Sequence, residues 1–346
     1  MTTLQPQPKL RFTEILDEPI LDDQSPGAEH IRYGYEGGRS LKDDHGVYHI
    51  FCAEVSSPPV AVGTHLAHWR SEDGLKFERV STLFQSSGDF TGQDPRSSLY
   101  APMPIFDPES DLWRLFYIAY RAASDTELER RRNHHGRVIH AVSQTPGIEG
   151  LAGPYTDESV AMEPGRESDW WEGVQGTDSF FAWPHGNGWL AFYGSNLSQY
   201  WSPARPKKKW YGVGLAQAEN LTGPWQRLTE RNPVQFNIRF CENPIVTPLD
   251  DGGFLAVYDG GSDQFCYATS PDGLEWSREQ RIDWDGMKPD WFKHPRTPLG
   301  LVPEGGKRFT LYFTAFHEGK FIEKDPHCPW HSNFACVGRA RVSMEE

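Results

Sequence analysis

One short signature recurs five times along the 346 residues and constrains the fold more than any other feature. It is an aromatic residue, a run of alternating apolar residues, then a small or polar stop. It stands at 48–53 (YHIFCA), 113–118 (WRLFYI), 189–194 (WLAFYG), 254–259 (FLAVYD) and 309–314 (FTLYFT). The leading aromatics are 65, 76, 65 and 55 residues apart. Each run is short and rich in strand formers. A turn precedes each one: Asp43-Asp44-His45-Gly46, Asp107-Pro108-Glu109-Ser110, His185-Gly186-Asn187-Gly188, Asp250-Asp251-Gly252-Gly253 and Pro303-Glu304-Gly305-Gly306. Such residues favour hairpins, with Gly and Asn accepting positive φ. Each signature therefore reads as the second strand of a hairpin.

A third strand follows and ends in a recurrent turn. The turn is Ser71-Glu72-Asp73-Gly74-Leu75 in the first unit and Ser270-Pro271-Asp272-Gly273-Leu274 in the fourth. Units two and three end in Gly153-Pro154-Tyr155 and Gly223-Pro224-Trp225. A fourth, outer strand is expected after each. Five units of about four strands predict an all-β fold, a five-bladed β-propeller. The competing reading is a β-sandwich whose hairpins recur by chance. With 33 Gly, 27 Pro and 13% aromatic residues, the composition suits a turn-rich all-β chain. Residues 124–132 predict one short helix on an insertion. The domain reading is an N-terminal arm over 1–28 and a single propeller over 29–346.

The charge balance, 34 basic against 48 acidic residues for a net −14, disfavours nucleic acid and anionic membranes as partners. No apolar run approaches the roughly 18 residues that span a bilayer, and the start of the chain shows no secretory pattern. The five cysteines, Cys52, Cys241, Cys266, Cys328 and Cys336, form no C-x-x-C pair, which argues against a disulfide framework and a zinc site. A cytoplasmic enzyme is the simplest expectation, so the sequon Asn196-Leu197-Ser198 carries little weight. No phosphate loop, dinucleotide fingerprint or nucleophile elbow is present. Oligomeric state stays open.

In a propeller the first strand of each blade lines the central funnel. Counting back 12 residues from the leading aromatic gives Glu36, Ala101 and Glu242 in units one, two and four. Counting back 11 gives Asp178 in unit three, and 15 gives His294 in unit five. Three acids and a histidine from four blades would converge on one axial pocket. Sugar hydrolysis needs such a set: two carboxyls across the scissile bond, with neighbours that tune them.

These positions resemble glycoside hydrolase family 43 and its five-bladed relatives, families 32, 68 and 117. The segment from Asp178-Ser179-Phe180-Phe181 to Ser195 is similar to the family blade that carries a pKa-tuning acid. Glu242-Asn243-Pro244 resembles the Glu-Gly-Pro motif of the general acid. Tyr100-Ala101-Pro102 resembles the Trp-Ala-Pro of the second blade. His294 resembles the histidine that opens the fifth blade, often near a central calcium. The resemblance covers roughly residues 30 to 342. It departs in blade one: where the family has an Asp-Pro base, this chain reads Tyr35-Glu36-Gly37-Gly38-Arg39.

The resemblance implies Glu242 as general acid and Asp178 as its tuner. Glu36 is the base or nucleophile, or is engaged by Arg32 or Arg39. Asp94 and Glu172 are alternative bases. Trp170 and Trp171 stand before the third inner strand, either as a sugar platform or as packing between blades. Asp94 and Arg96 precede the second blade, and Arg96 contacts substrate or makes an inter-blade ion pair. His294 is a substrate contact or touches a possible structural calcium through water, and Arg296 lies on the same side of its strand. Asp259 is expected to be structural. His134, His135 and His140, beside Arg130–Arg132, and Lys207-Lys208-Lys209 read as solvated loops. The function expected is an exo-acting glycoside hydrolase that needs no cofactor and takes a small carbohydrate, a furanoside or pentoside first. The alternatives are a phosphorylase, with Arg39, Arg96 and Arg296 around phosphate, or a sugar-binding propeller without catalysis.

Overall fold

The structure, a computed structural model, describes residues 8–59, 62–123, 133–197, 210–236, 240–261, 264–325 and 332–345. The helix expected at 124–132, the lysines at 207–209, Ser198 and Cys328 lie outside the described residues.

The regular structure among the described residues is strand, apart from two short 3-10 turns at Ile148–Ala152 and Thr229–Arg231. Strand β1 (Lys9–Ile15) comes first. A group of four antiparallel strands follows: β2 (Gly34–Lys42), β3 (Tyr48–Ser57), β4 (Gly63–Ser71) and β5 (Glu78–Gln85). The second group is β6 (Ser98–Asp107), β7 (Leu112–Ala122), β8 (Asn133–Ser143) and β9 (Tyr155–Met162). The third is β10 (Thr177–His185), β11 (Gly188–Leu197), β12 (Trp210–Ala218) and β13 (Gln226–Arg227). The fourth is β14 (Glu242–Pro248), β15 (Phe254–Asp259), β16 (Phe265–Ser270) and β17 (Gln280–Arg281). The last is β18 (Phe292–Gly305), β19 (Arg308–Phe321) and β20 (Asn333–Glu345). The five signatures fall in β3, β7, β11, β15 and β19, each second in its group.

The two chain ends meet in one eight-stranded sheet. β1 pairs antiparallel with β20 and supplies the last group's fourth strand. Its alternation buries Leu10 and Phe12, so part of the segment read as an arm is built into the sheet. β2 bridges β20 in parallel at Gly34 and Ala335. The first strands also follow one another in a cycle: β2 packs on β6, β6 on β10, β10 on β14, β14 on β18, and β18 on β2.

The core lies between neighbouring sheets and is largely aromatic. Phe116 of β7 packs on Phe180 of β10 at 4.8 Å, and Trp183 of β10 meets Trp276 edge-on at 6.2 Å. Large rings fill the wedge between sheets, and the high aromatic content is spent there. The recurrent turn holds neighbours together as well. Ser71 Oγ accepts from Gly74 N at 2.9 Å, and Asp73 accepts from Leu75 and Lys76 N at 2.8 Å. Ser270 and Asp272 repeat this on Gly273, Leu274 and Glu275. Tyr312 of β19 donates to Gly74 O at 3.0 Å, tying the last group to the first. No helix among the described residues is long and apolar enough to cross a membrane.

Gly34 has φ of 110°, and a Cβ there would lie 2.3 Å from Ala335 O. Gly34→Ala is therefore expected to destabilise the protein by about 2 kcal/mol or more, through strain and loss of the bridge. Thermal unfolding checks this, and an unchanged midpoint would remove Gly34 from the closure.

Candidate active site

All five first strands carry a register irregularity at a similar level. Pairing shifts between Glu36 and Gly38, Tyr100 and Met103, Thr177 and Ser179, Glu242 and Ile245, and Pro295 and Pro298. Bulges of this kind bend a strand and re-aim its side chains. Three of them use positive φ: 25° at Gly37, 50° at Ala101 and 52° at Asn243. For Ala101 and Asn243 this is strained backbone, of order 1–3 kcal/mol each. The counted positions Glu36, Ala101, Asp178 and Glu242 all lie at these bulges.

The geometry gathers three carboxyls around one cation. Arg296 Nη1 donates to Glu242 Oε2 at 2.7 Å and to Asp259 Oδ2 at 3.3 Å, and its Nε lies 3.6 Å from Glu36 Oε2. Thr297 Oγ1 donates to Glu36 Oε1 at 2.9 Å. Glu242 and Asp259 stand opposite each other in the β14–β15 ladder. Gly261 N donates to Asp259 Oδ1 at 2.7 Å. Burial opposes the Arg296 charge, but Glu242, Glu36 and Asp259 outweigh it and hold its pKa far above the ordinary range. One guanidinium cannot balance three neighbouring carboxylates, two of them buried, so one keeps a proton more readily. That group is Asp259: burial first, then the Glu242 and Glu36 charges against Arg296, push it up to about 7.

Asp259, expected from the sequence to be structural, joins this cluster. A signal existed. It is the sixth residue of its signature, where the other units have Ala53, Ile118, Gly194 and Thr314. Those positions face the bulged strand. Ala53 stands opposite Glu36 and Ile118 opposite Tyr100. Thr314 Oγ1 accepts from Thr297 N at 3.0 Å. A Cβ at Gly194 would lie 2.1 Å from Asp178 Oδ1, so glycine makes room for that carboxyl. Asp178 itself is buried, and its charge, with that of Glu242, adds to burial in pushing up the Tyr120 phenol.

Several expected site residues lie elsewhere. Trp171 is fully buried against Tyr193 at 5.4 Å, so it is packing and no sugar platform; Trp170 is 60% exposed. The two indoles are neighbours in the chain, and the loop turns one in and the other out. Arg96, just before β6, pairs with Asp157 of β9 and Tyr117 of β7, so its ion pair lies within the second strand group and is not the inter-blade pair expected as one alternative. Asp94 accepts from Arg96 N at 2.7 Å and holds the turn into β6. Glu172 is engaged by Arg227 at 2.7 and 3.0 Å and takes no part in the Arg296 cluster. Arg39 donates to Pro104 O and lies 5.2 Å from the Phe181 ring centre. The histidines read as a solvated loop lie on β8 instead: His134 and His140 are buried, His140 stacked on Phe116 at 5.1 Å, and His135 is exposed.

The calcium implied beside His294 does not fit the acids nearby. Calcium takes carboxylate and carbonyl oxygens, and these carboxylates already meet a guanidinium. Among the described residues, His30, Glu54 and His65 are close enough to share an ion. Glu54 is instead satisfied by Arg79 at 2.9 and 2.8 Å, by Trp69 Nε1 at 2.9 Å and by His30 at 2.8 Å. A concavity of about 760 Å³ lies at the β10–β11 turn around His185, Trp189 and Gln226, and none of the three clustered acids lines it.

No protein-family profile and no curated protein matches the chain. Solved structures do. Zg3597, a family 117 glycoside hydrolase of the marine bacterium Zobellia galactanivorans, is 13% identical with a TM-score of 0.61, over 98% of this chain and 90% of that one. CoXyl43, a GH43 β-xylosidase/α-arabinofuranosidase from a compost microbial metagenome, is 14% identical with a TM-score of 0.57, over 97% and 95%. The α-L-arabinofuranosidase PaAbf62A of Podospora anserina is 12% identical with a TM-score of 0.58, over 95% of both. The expected resemblance to glycoside hydrolase families 43 and 117 is thus present in the fold.

Folded Asp259 keeps its proton up to about pH 7, against an ordinary 3.8. The folded chain binds more protons than the unfolded one between those values, so Asp259 makes stability fall as pH rises through that window. Asp259→Asn is expected to flatten the pH dependence of the unfolding midpoint from about pH 4 to 7. A slope unchanged in the variant would assign the raised pKa elsewhere.

Proposed function

We propose that this protein is an exo-acting glycoside hydrolase on a five-bladed β-propeller, cleaving a small oligosaccharide or glycoside. The cycle of first strands supports the blade count. The observation that carries the function is the carboxyl cluster: three acids from two strand groups on one guanidinium, at the level where the inner strands bulge, with one acid raised toward neutrality. The names of the structural neighbours, arabinofuranosidases and a xylosidase among them, support a furanoside or pentoside as first substrate. A cytoplasmic site of action suits short imported sugars.

Cleavage needs a proton on the leaving oxygen and a nucleophile at the anomeric carbon. The Glu242–Asp259 pair supplies the proton, because Asp259 retains one near neutral pH and stands across the ladder from Glu242. Glu36, fixed by Thr297 and Arg296, supplies the other half. It either takes a proton from the water that attacks the anomeric carbon, or attacks that carbon itself and yields to water in a second step. A carboxyl separation of about 6.5–9.5 Å gives the first course and about 5–5.5 Å the second. Asp178, beside Tyr120, adds negative charge that helps hold the proton in the pair. The scheme uses no cofactor.

The arrangement favours water over phosphate as acceptor. Of the three arginines considered for phosphate, Arg96 faces Asp157 and Arg296 is held by three carboxyls. Turnover of aryl glycosides, furanosides included, is expected without phosphate. Glu242→Gln and Glu36→Gln should each lower kcat by about 10²- to 10⁴-fold with the unfolding midpoint preserved. Turnover that survives both substitutions, or requires phosphate, would overturn the assignment.

A further inference from the structure

Arg39 is a cation that the proposed reaction does not use. It sits on β2, and its Nη1 donates to Pro104 O of β6. Its guanidinium lies 5.2 Å from the ring centre of Phe181 on β10. It therefore touches two further first strands, β6 and β10. Among the described residues no carboxylate pairs with it. Burial alone lowers its pKa, to about 10, with no charged neighbour contributing. Among the described residues its guanidinium makes one hydrogen bond, to Pro104 O, and the residue is half-buried. In a chain of net charge −14, a half-buried guanidinium without a counter-ion stands out.

Its place relative to the acids follows from the ladder. Glu36 stands opposite Ala53 and Arg39 opposite Phe51. Ala53 and Phe51 are two residues apart and share a face, and the bulge at 36–38 absorbs the extra residue. By register Glu36 and Arg39 therefore stand on the same face of β2, with Glu36 meeting Thr297 and Arg296 of β18 and Arg39 meeting Pro104 of β6. They lie about 6.5–7 Å apart along the strand. That is the span of one sugar ring. A planar fork with free N–H groups matches a carboxylate better than a hydroxyl.

We propose that Arg39 anchors a substrate carboxylate, and that the glycoside cleaved here carries a uronate-type carboxylate within one sugar ring of the scissile bond. This rests on the hydrolase reading for the cleavage step, but the anion site stands on Arg39 alone. A neutral furanoside or pentoside joined to an acidic sugar fits both.

The test is calorimetric titration of D-glucuronate, D-galacturonate, glucose, galactose and inorganic phosphate into the full chain, the Arg39→Met variant and the Arg39→Lys variant. The uronates are expected to bind about tenfold or more tightly than their neutral counterparts. Arg39→Met should erase the difference and Arg39→Lys should keep part of it. Equal binding of acidic and neutral sugars would overturn the inference. So would a preference that survives Arg39→Met, or Arg39-dependent binding of phosphate alone. If Arg39→Met does not fold, the wild-type preference and its reduction in Arg39→Lys decide. Turnover of neutral aryl glycosides without any uronate preference would sink this inference and leave the hydrolase. Arg39-dependent uronate binding without turnover of any glycoside would do the reverse.

Discussion

The site depends on one guanidinium. Arg296 extends from the fifth strand group and meets Glu36 of the first and both Glu242 and Asp259 of the fourth. Without it, the half-buried Glu36 and the buried Glu242 and Asp259 would repel one another, and the two buried charges would lose hydration with no cation to offset it. With it, the cluster still carries more negative charge than positive, and a proton on Asp259 makes up part of the difference. The same imbalance that makes the cluster costly to bury makes it an acid near neutral pH.

The scaffold holds this cluster through closure and strain. β1 and β20 join the two ends of the chain in one sheet, and each first strand rests on the next around the cycle. That frame lets the inner strands carry bulges, with Ala101 and Asn243 in a conformation few L-residues adopt. Regular strands would turn alternate side chains away from one another. The irregular ones bring Glu36 and Glu242 to a common point.

Much of this was legible in the sequence, and the reasons are local. The second strands and their turns were readable because alternation and Gly/Asn turn chemistry act over a few residues. Counting back from the signature placed Glu36, Ala101, Asp178 and Glu242 at the bulges of their first strands, because hairpins of similar length put equivalent residues at one level. Asp259 read as structural, because its place in the cluster comes from the strand opposite it and from burial that no local pattern records. For Trp171 and Arg96 the sequence left two readings open, for a related reason. An indole suits a core as well as a sugar, and an arginine near an inner strand can turn either way. Closure by β1 was missed because its partner lies at the other end of the chain.

The claim at the centre is that the carboxyls on Arg296 retain a proton near neutral pH. Carbon-detected NMR titration of the side-chain carboxyls would test it most directly, with Asp259→Asn to assign the signal. One carboxyl should titrate near pH 7 in the wild type and vanish in the variant. If every carboxyl instead titrated in the ordinary range near pH 4, as free Asp and Glu do, the cluster would be a fully ionised structural knot, and the account of its chemistry would fail.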